Sequence, residues 1–354
     1  MSYTPFNASF LSGLLGDMEI AGSFSIKADL AAMLRFEMGL AEAEAETGVI
    51  PKDAVAAVKQ AIDSFEPDMP SLSAGGARDG MIVPELINQL RARVDEAHRQ
   101  HLHFGATSQD VIDTSLALRL VDVSNVLATR LKEVIAHLKR LTNQFGDNAL
   151  MARTRMQVAL PIKVADRVEH WKRPLERHLE LLPEINHQAL CVQFGGPVGT
   201  LEKLGDKAEA TRAALAEKLG LRDPGYCWHT ERISIVDYAQ WLAFVTGSLG
   251  KMGQDIVLMA QNELGEFQFE GAGGSSAMAH KQNPVKAEAL VTLARFNATL
   301  AGGMQHAMLH EQERSGAAWT LEWMMIPQLC VATGASLRNA SDLLESTTTI
   351  GTST

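Results

Sequence analysis

Sulfur pairing has little to work with in this chain: three cysteines, Cys191, Cys227 and Cys330, stand far apart in 354 residues and form no CxxC pair. A disulfide scaffold and a thiolate zinc site are both disfavoured, and a reducing cytoplasm is the expected setting. Aromatic residues make up only 6%. Positive charge is also short, with 32 Lys and Arg against 42 Asp and Glu and a formal net charge of −10. General nucleic-acid or anionic-membrane binding needs a basic surface, so neither partner is expected. A small anionic substrate stays open, because a pocket concentrates a few cations locally. No basic segment precedes the first apolar stretch, since the first lysine is Lys27, and no uninterrupted apolar run is long enough to span a bilayer. Two-residue alternation between hairpin turns is lacking too, which argues against a large sheet.

Helical periodicity is abundant. Apolar residues from Leu116 through Leu120, Val123, Leu127, Leu131, Val134, Leu138 and Leu141 to Phe145 recur about every 3.6 residues, the period of one helix face. A second series, Ile235, Tyr238, Leu242, Val245, Leu249, Met252, Ile256 and Met259, alternates steps of three and four as a bundle seam does. Ile162, Val168, Trp171, Leu175, Leu179 and Leu182 predict a third long helix bent at Pro174, and Pro284 to about His310 a fourth. Shorter helices are expected over about Lys27–Thr47, Lys52–Ser64 and Val83–Gln100, separated by the turns GVIPKD and PDMPSLSAGGARDG. The expected organisation is an all-α, up-and-down bundle over residues 105–345, a small helical N-terminal domain over 1–104, and a frayed tail over 346–354.

Gly271 to Glu288, GAGGSSAMAHKQNPVKAE, is the least ordinary segment. Its glycines expose backbone N–H groups, and Lys281 and Asn283 precede a proline suited to open a helix. A helix N-terminus with such neighbours is a ready anion site, where a serine is able to act as base or nucleophile. The alternative is an ordinary Gly/Ser connection. A Walker loop is excluded, because no GK[ST] is present.

Taken whole, GSSAMAHKQNP resembles the signature loop GSSxMPxKxNP of the fumarase/aspartase superfamily, with Ala279 where proline is usual. HFGATSQDVIDTS (103–115) is similar to that superfamily's TSxD block, and ARTRMQVALP (152–161) to its Thr-His-x-Gln block, in the same order. The resemblance runs from about residue 80 to 345, and QFGGPVGT, WHTERIS and HEQERSGAAWTLEW most resemble the 3-carboxymuconate cycloisomerase branch, which serves protocatechuate breakdown. The resemblance implies a homotetramer of long-helix bundles with active sites shared between chains, here without the usual C-terminal domain. It implies a small polycarboxylate substrate and no metal or organic cofactor. It assigns Ser275 as catalytic acid/base, Lys281 and Asn283 to the activated carboxylate, and Thr107 and Ser108 to the same group from another helix end. Thr107 and Ser108 also suit the capping of the helix they open.

Arg155 departs from the histidine usual at its position, between Thr154 and Gln157, the block's other candidate substrate ligands. In cycloisomerisation the leaving group is a carboxylate, which needs no proton near neutral pH, so a permanently charged fork is the better ligand there. The alternative has Arg155 facing solvent and the acid supplied by another group, such as His103. Arg232, in WHTERIS, and Arg314 are further candidate carboxylate ligands. His306 and His310, one turn apart, form at best half a zinc site, with neither HExxH order nor a third ligand. Elimination from a succinyl adduct, as in adenylosuccinate lyases, a 3-sulfomuconate substrate, and a non-catalytic helical scaffold remain the competing readings.

Overall fold

The computed structural model describes residues 4–7, 10–271, 273–274, 277–278 and 281–352. Twelve helices follow in order among them: α1 (Ser12–Leu15), α2 (Met18–Gly22), α3 (Ile26–Glu46), α4 (Lys52–Asp63), α5 (Met69–Asp79), α6 (Val83–Arg91), α7 (Ser108–Phe145), α8 (Val164–Ala189), α9 (Ala208–Leu219), α10 (Ile233–Met259), α11 (Val285–His306) and α12 (Ala317–Glu345). Two antiparallel strand pairs complete the described structure, β1 (Ala149–Thr154) with β2 (Gln157–Lys163) and β3 (Phe267–Phe269) with β4 (Thr347–Ile350).

The apolar stripe of α7 is buried along its length and packs with the seam of α10 in one core that also takes in α8, α11 and α12. Pairings along the helices give their directions. Arg232, which opens α10, and Tyr238 meet Asp113 and Ser124 on α7 (2.7 and 2.9 Å), and Trp319 and Leu344 on α12 meet Asp113 and Arg140 on α7, so α7, α10 and α12 run the same way. Trp171 on α8 bonds Asp255 (2.7 Å), His178 bonds Ser248 (2.9 Å), and Gln240 on α10 reaches Ala301 on α11 (3.1 Å), so α8 and α11 run back. Gly250 and Gly253 permit the close approach of α11. A Cβ on Gly253 would stand 2.6 Å from the Ala287 carbonyl oxygen. A second core joins α3, α4, α5 and α6 to Val192, Phe194, Leu201, Leu204 and α9, so the packing of the N-terminal helices also draws on residues well beyond 104.

Several expectations need correction. PDMPSLSAGGARDG is largely helix, α5, because Asp68 caps the Ser71 N–H (3.0 Å), Pro70 sits in the first turn and Gly80 takes the left-handed stop at φ 74°. α6 ends at Arg91, well before Gln100: the chain turns at 92–94, and Asp95 takes the His98 N–H (3.0 Å) ahead of a short 3-10 segment. Ile162 lies in β2, paired with Leu150, and α8 starts two residues later. The tail is not frayed at its start, since Thr347–Ile350 pairs with β3 and Ile350 is fully buried.

Glu44 on α3 is enclosed, and neither carboxyl oxygen has a hydrogen-bond partner. Burial, and then the charge of Glu37, push it up to about 9. The folded state therefore holds a proton that the unfolded chain releases above its ordinary 4.5, and stability falls by about 1.4 kcal/mol per pH unit between these values. Glu44→Gln removes that dependence. Its melting temperature should match the parent's near pH 5 and exceed it by several degrees at pH 8; equal values at pH 8 would place the proton elsewhere.

Candidate active site

The chain positions its candidate residues at the two ends of the bundle. At one end α7 is entered through Thr107, whose N–H donates to Asp110 Oδ2 (3.0 Å) in a capping box that leaves Ser108 as the first helical residue. Asp110 is buried and accepts three further bonds, from the Gly195 and Gly196 N–H groups (both 2.9 Å) and from His229 Nε2 (2.8 Å). A Cβ on Gly196, at φ 69°, would stand 2.7 Å from the Gly105 carbonyl oxygen, so only glycine allows this approach. One carboxylate thus joins the helix entrance, the QFGGPVGT turn and the WHTERIS segment. Burial is the largest single influence and works against a charged His229, but Asp110 and Cys227 together outweigh it, and its pKa rises to about 9.

Arg232 corrects the sequence-based assignment. Its side chain is wholly enclosed and is held by two carboxylates rather than turned toward a ligand. Nη1 and Nη2 donate to Asp113 (2.7 and 3.2 Å), while Nε and Nη2 donate to Glu322 on α12 (2.9 and 2.5 Å). The guanidinium also lies 4.7 Å from the centroid of the Trp228 ring. Asp113 further accepts from Trp319 Nε1 (2.9 Å), Gln109 (3.2 Å) and Gln193 (3.4 Å). Burial opposes Arg232's charge, yet Asp113 and Glu322 outweigh it and raise its pKa above the ordinary arginine value. Arg232 is a structural ion.

Arg314, on the segment leading to α12, donates to the Pro197 carbonyl (3.0 Å) and lines an open cavity of about 630 Å³ with Ser315, Trp319 and Trp323. His103 has its Nδ1 2.7 Å from Glu37 on α3. His306 is exposed, whereas the His310 side chain is enclosed with Nε2 3.3 Å from Glu322, so the two do not share an environment.

At the other end stands the β1–β2 hairpin. Register pairs Thr154 with Gln157 and leaves Arg155 and Met156 as a two-residue turn, both left-handed at φ 49° and 67°. Thr154, Arg155 and Gln157 are all exposed, and so are Met156, Val158 and Leu160. The glycine-rich loop is at this end too, ahead of α11. Asn283 exchanges backbone bonds with Gly273 (2.9 Å each) and donates to the Gly274 carbonyl (3.3 Å), and Lys281 is exposed. Ser275 lies outside the described residues. The length of α7 therefore stands between Thr107 and Ser108 on one side and Arg155 on the other; its 38 residues span about 57 Å. No single copy brings these groups within reach of one substrate.

The sequence reading missed Asp110, Asp113 and Glu322. Two acids three residues apart in the first turns of α7, ahead of its apolar stripe, were the available signal, together with an arginine between Trp228 and an apolar seam.

The lyase family Lyase_1 matches residues 18–297. The chain is similar to the 3-carboxy-cis,cis-muconate cycloisomerase of Pseudomonas aeruginosa, 39% identical over 91% of this chain and 72% of that one. It is similar also to the enzyme of the same name from Bradyrhizobium diazoefficiens, at 36% over 95% and 76%. Its fold matches the crystal structure of 3-carboxy-cis,cis-muconate lactonizing enzyme from Pseudomonas putida with a TM-score of 0.90, at 34% identity, covering 97% of this chain and 77% of that one.

Removal of Asp113 leaves Arg232 enclosed with half its counter-charge. Asp113→Ala should cost about 3–5 kcal/mol of unfolding free energy. A loss below about 1 kcal/mol in urea titration would mean that water replaces the carboxylate.

Proposed function

The chain belongs to the lyase family that its residues 18–297 match, and from that membership we propose that it interconverts 3-carboxy-cis,cis-muconate and 4-carboxymuconolactone. The observation that carries the reading is the similarity to enzymes of that activity over nine-tenths of the chain, at 39% identity for the Pseudomonas aeruginosa relative. In lactonisation one carboxylate of the substrate adds to the substituted alkene carbon. Ser275 delivers a proton to the neighbouring carbon, and takes it back in the reverse direction. Negative charge accumulates on the carboxylate next to that carbon, and fixed donors must meet it. Lys281 and Asn283 do so from the loop before α11, and Thr107 and Ser108 from the entrance to α7. Thr154, Arg155 and Gln157 hold the remaining carboxylate charge, with Arg314 beside the QFGGPVGT turn. Neither metal nor organic cofactor takes part.

Because α7 separates these groups, the active site is shared between copies, in a homotetramer. The exposed apolar hairpin around Arg155 supports this, since Met156, Val158 and Leu160 gain by being covered. The free state of all three cysteines supports a cytoplasmic setting.

Mixing the protein with the muconate should bleach its absorbance. Ser275→Ala should lower turnover by orders of magnitude with little change in melting temperature; a variant that retains near-parent turnover would remove Ser275 from the mechanism.

Arg155→His tests the leaving-group argument. A neutral imidazole leaves the site without the guanidinium's full positive charge, and kcat/KM should fall about ten- to hundredfold at pH 8, with part of it regained at lower pH as the imidazole protonates. Parent-like turnover at pH 8 would show that Arg155 is not a substrate ligand.

A further inference from the structure

A second buried polar group lies apart from the Arg232 ions. Glu37 and Glu44 stand two turns apart on one face of α3, and both are enclosed. Facing them is His103, at φ 60°, in a left-handed conformation that a non-glycine residue keeps only when its surroundings enforce it. Its Nδ1 lies 2.7 Å from Glu37 Oε1, and its side chain is 13% exposed. Glu37 Oε2 and both oxygens of Glu44 lack partners. Of the cations on neighbouring elements, Arg91 on α6 donates Nη2 to the Leu102 carbonyl (3.1 Å) while its Nε lacks a partner, and Lys203 lies over the Phe104 ring (6.0 Å); neither pairs with Glu37 or Glu44. On α7, Asp110 is already filled by its four donors.

Two acids enclosed together do not both ionise, so one keeps its proton. Glu44, pushed up to about 9 by burial and then by the charge of Glu37, is that acid. An ionised carboxylate only accepts, which makes His103 Nδ1 the donor. The exposed edge of the ring is then left to Nε2, four residues before Thr107.

We propose that Glu37 is a positioning residue for substrate binding, holding His103 with Nδ1–H toward α3 so that Nε2 meets a substrate carboxylate beside Thr107 and Ser108. The inference rests on the reading that these two residues line the substrate site. Since the substrate carboxylate also only accepts, the bound ring donates from both nitrogens, to Glu37 and to the substrate. No covalent bond changes in this step.

Glu37→Gln is the discriminating variant, because its amide oxygen still accepts from Nδ1 while the counter-charge is gone. KM for the muconate should rise about tenfold, with kcat within about threefold of the parent and the fold intact. His103→Asn should raise KM similarly, and the double variant should be no worse than His103→Asn alone, because Glu37 acts through the ring. Nitrogen-15 NMR of the ligand-free protein at pH 8 should show Nδ1 protonated. Additive effects, an unchanged KM in Glu37→Gln, or an unprotonated Nδ1 would each overturn the proposal. A parent that leaves the muconate unchanged would overturn the proposed activity instead, while the tautomer, read without substrate, still decides the Glu37–His103 pairing.

Discussion

Arg232 is enclosed by protein on every side, and its charge is tolerable there only because Asp113 and Glu322 flank it. The two carboxylates come from α7 and α12, and the arginine from the residue that opens α10, so one ionic group fixes three helices of the bundle relative to one another. Hydrophobic burial alone leaves sliding along a helix seam inexpensive. A bidentate ion pair does not, since a slide of one helix pulls the carboxylate oxygens away from the N–H groups of the fork. The entrance to α7, where Thr107 and Ser108 sit, is only a turn or two from this group and inherits its registration.

The long helices were legible because their burial is one-sided: α7 and α10 carry uninterrupted stripes whose period survives in the sequence. α12 was not legible. It is buried over most of its circumference, from Ala318 and Trp319 to Leu343 and Leu344, so no polar face marks a period, and Pro327 lies inside it. α5 was hidden by its own glycines and proline, which suit a helix with a capped start and a left-handed stop as well as they suit a turn. β4 was hidden because a four-residue, threonine-rich strand acquires its identity from β3, some eighty residues earlier.

For the site, the motif blocks were legible one by one, and their separation followed from the helix read over Leu116–Phe145 rather than from the blocks themselves. A block pattern lists residue types in order. It carries no length, and only the continuous run of α7 through residues 108–145 places two of those blocks at opposite ends of the same rod. Arg232 was misassigned for a related reason. An arginine in a polar, tryptophan-bearing segment looks like an anion ligand until its counter-ions, 119 residues away in one direction and 90 in the other, are brought beside it.

The five tryptophans of the chain are distributed unevenly over this architecture. Trp228 stacks on the Arg232 guanidinium, Trp319 donates to Asp113, and Trp323 packs at 4.6 Å against Trp319. Trp171 and Trp241 sit further along the bundle, bonded to Asp255 and to the His178 carbonyl. Three indoles therefore report optically on the neighbourhood of a single buried ion group, and two on the shaft. Emission from the first set is sensitive to the charges beside it, so the protein carries a native fluorescence signal for events at the Thr107 end, distinguishable from loosening of the helices themselves.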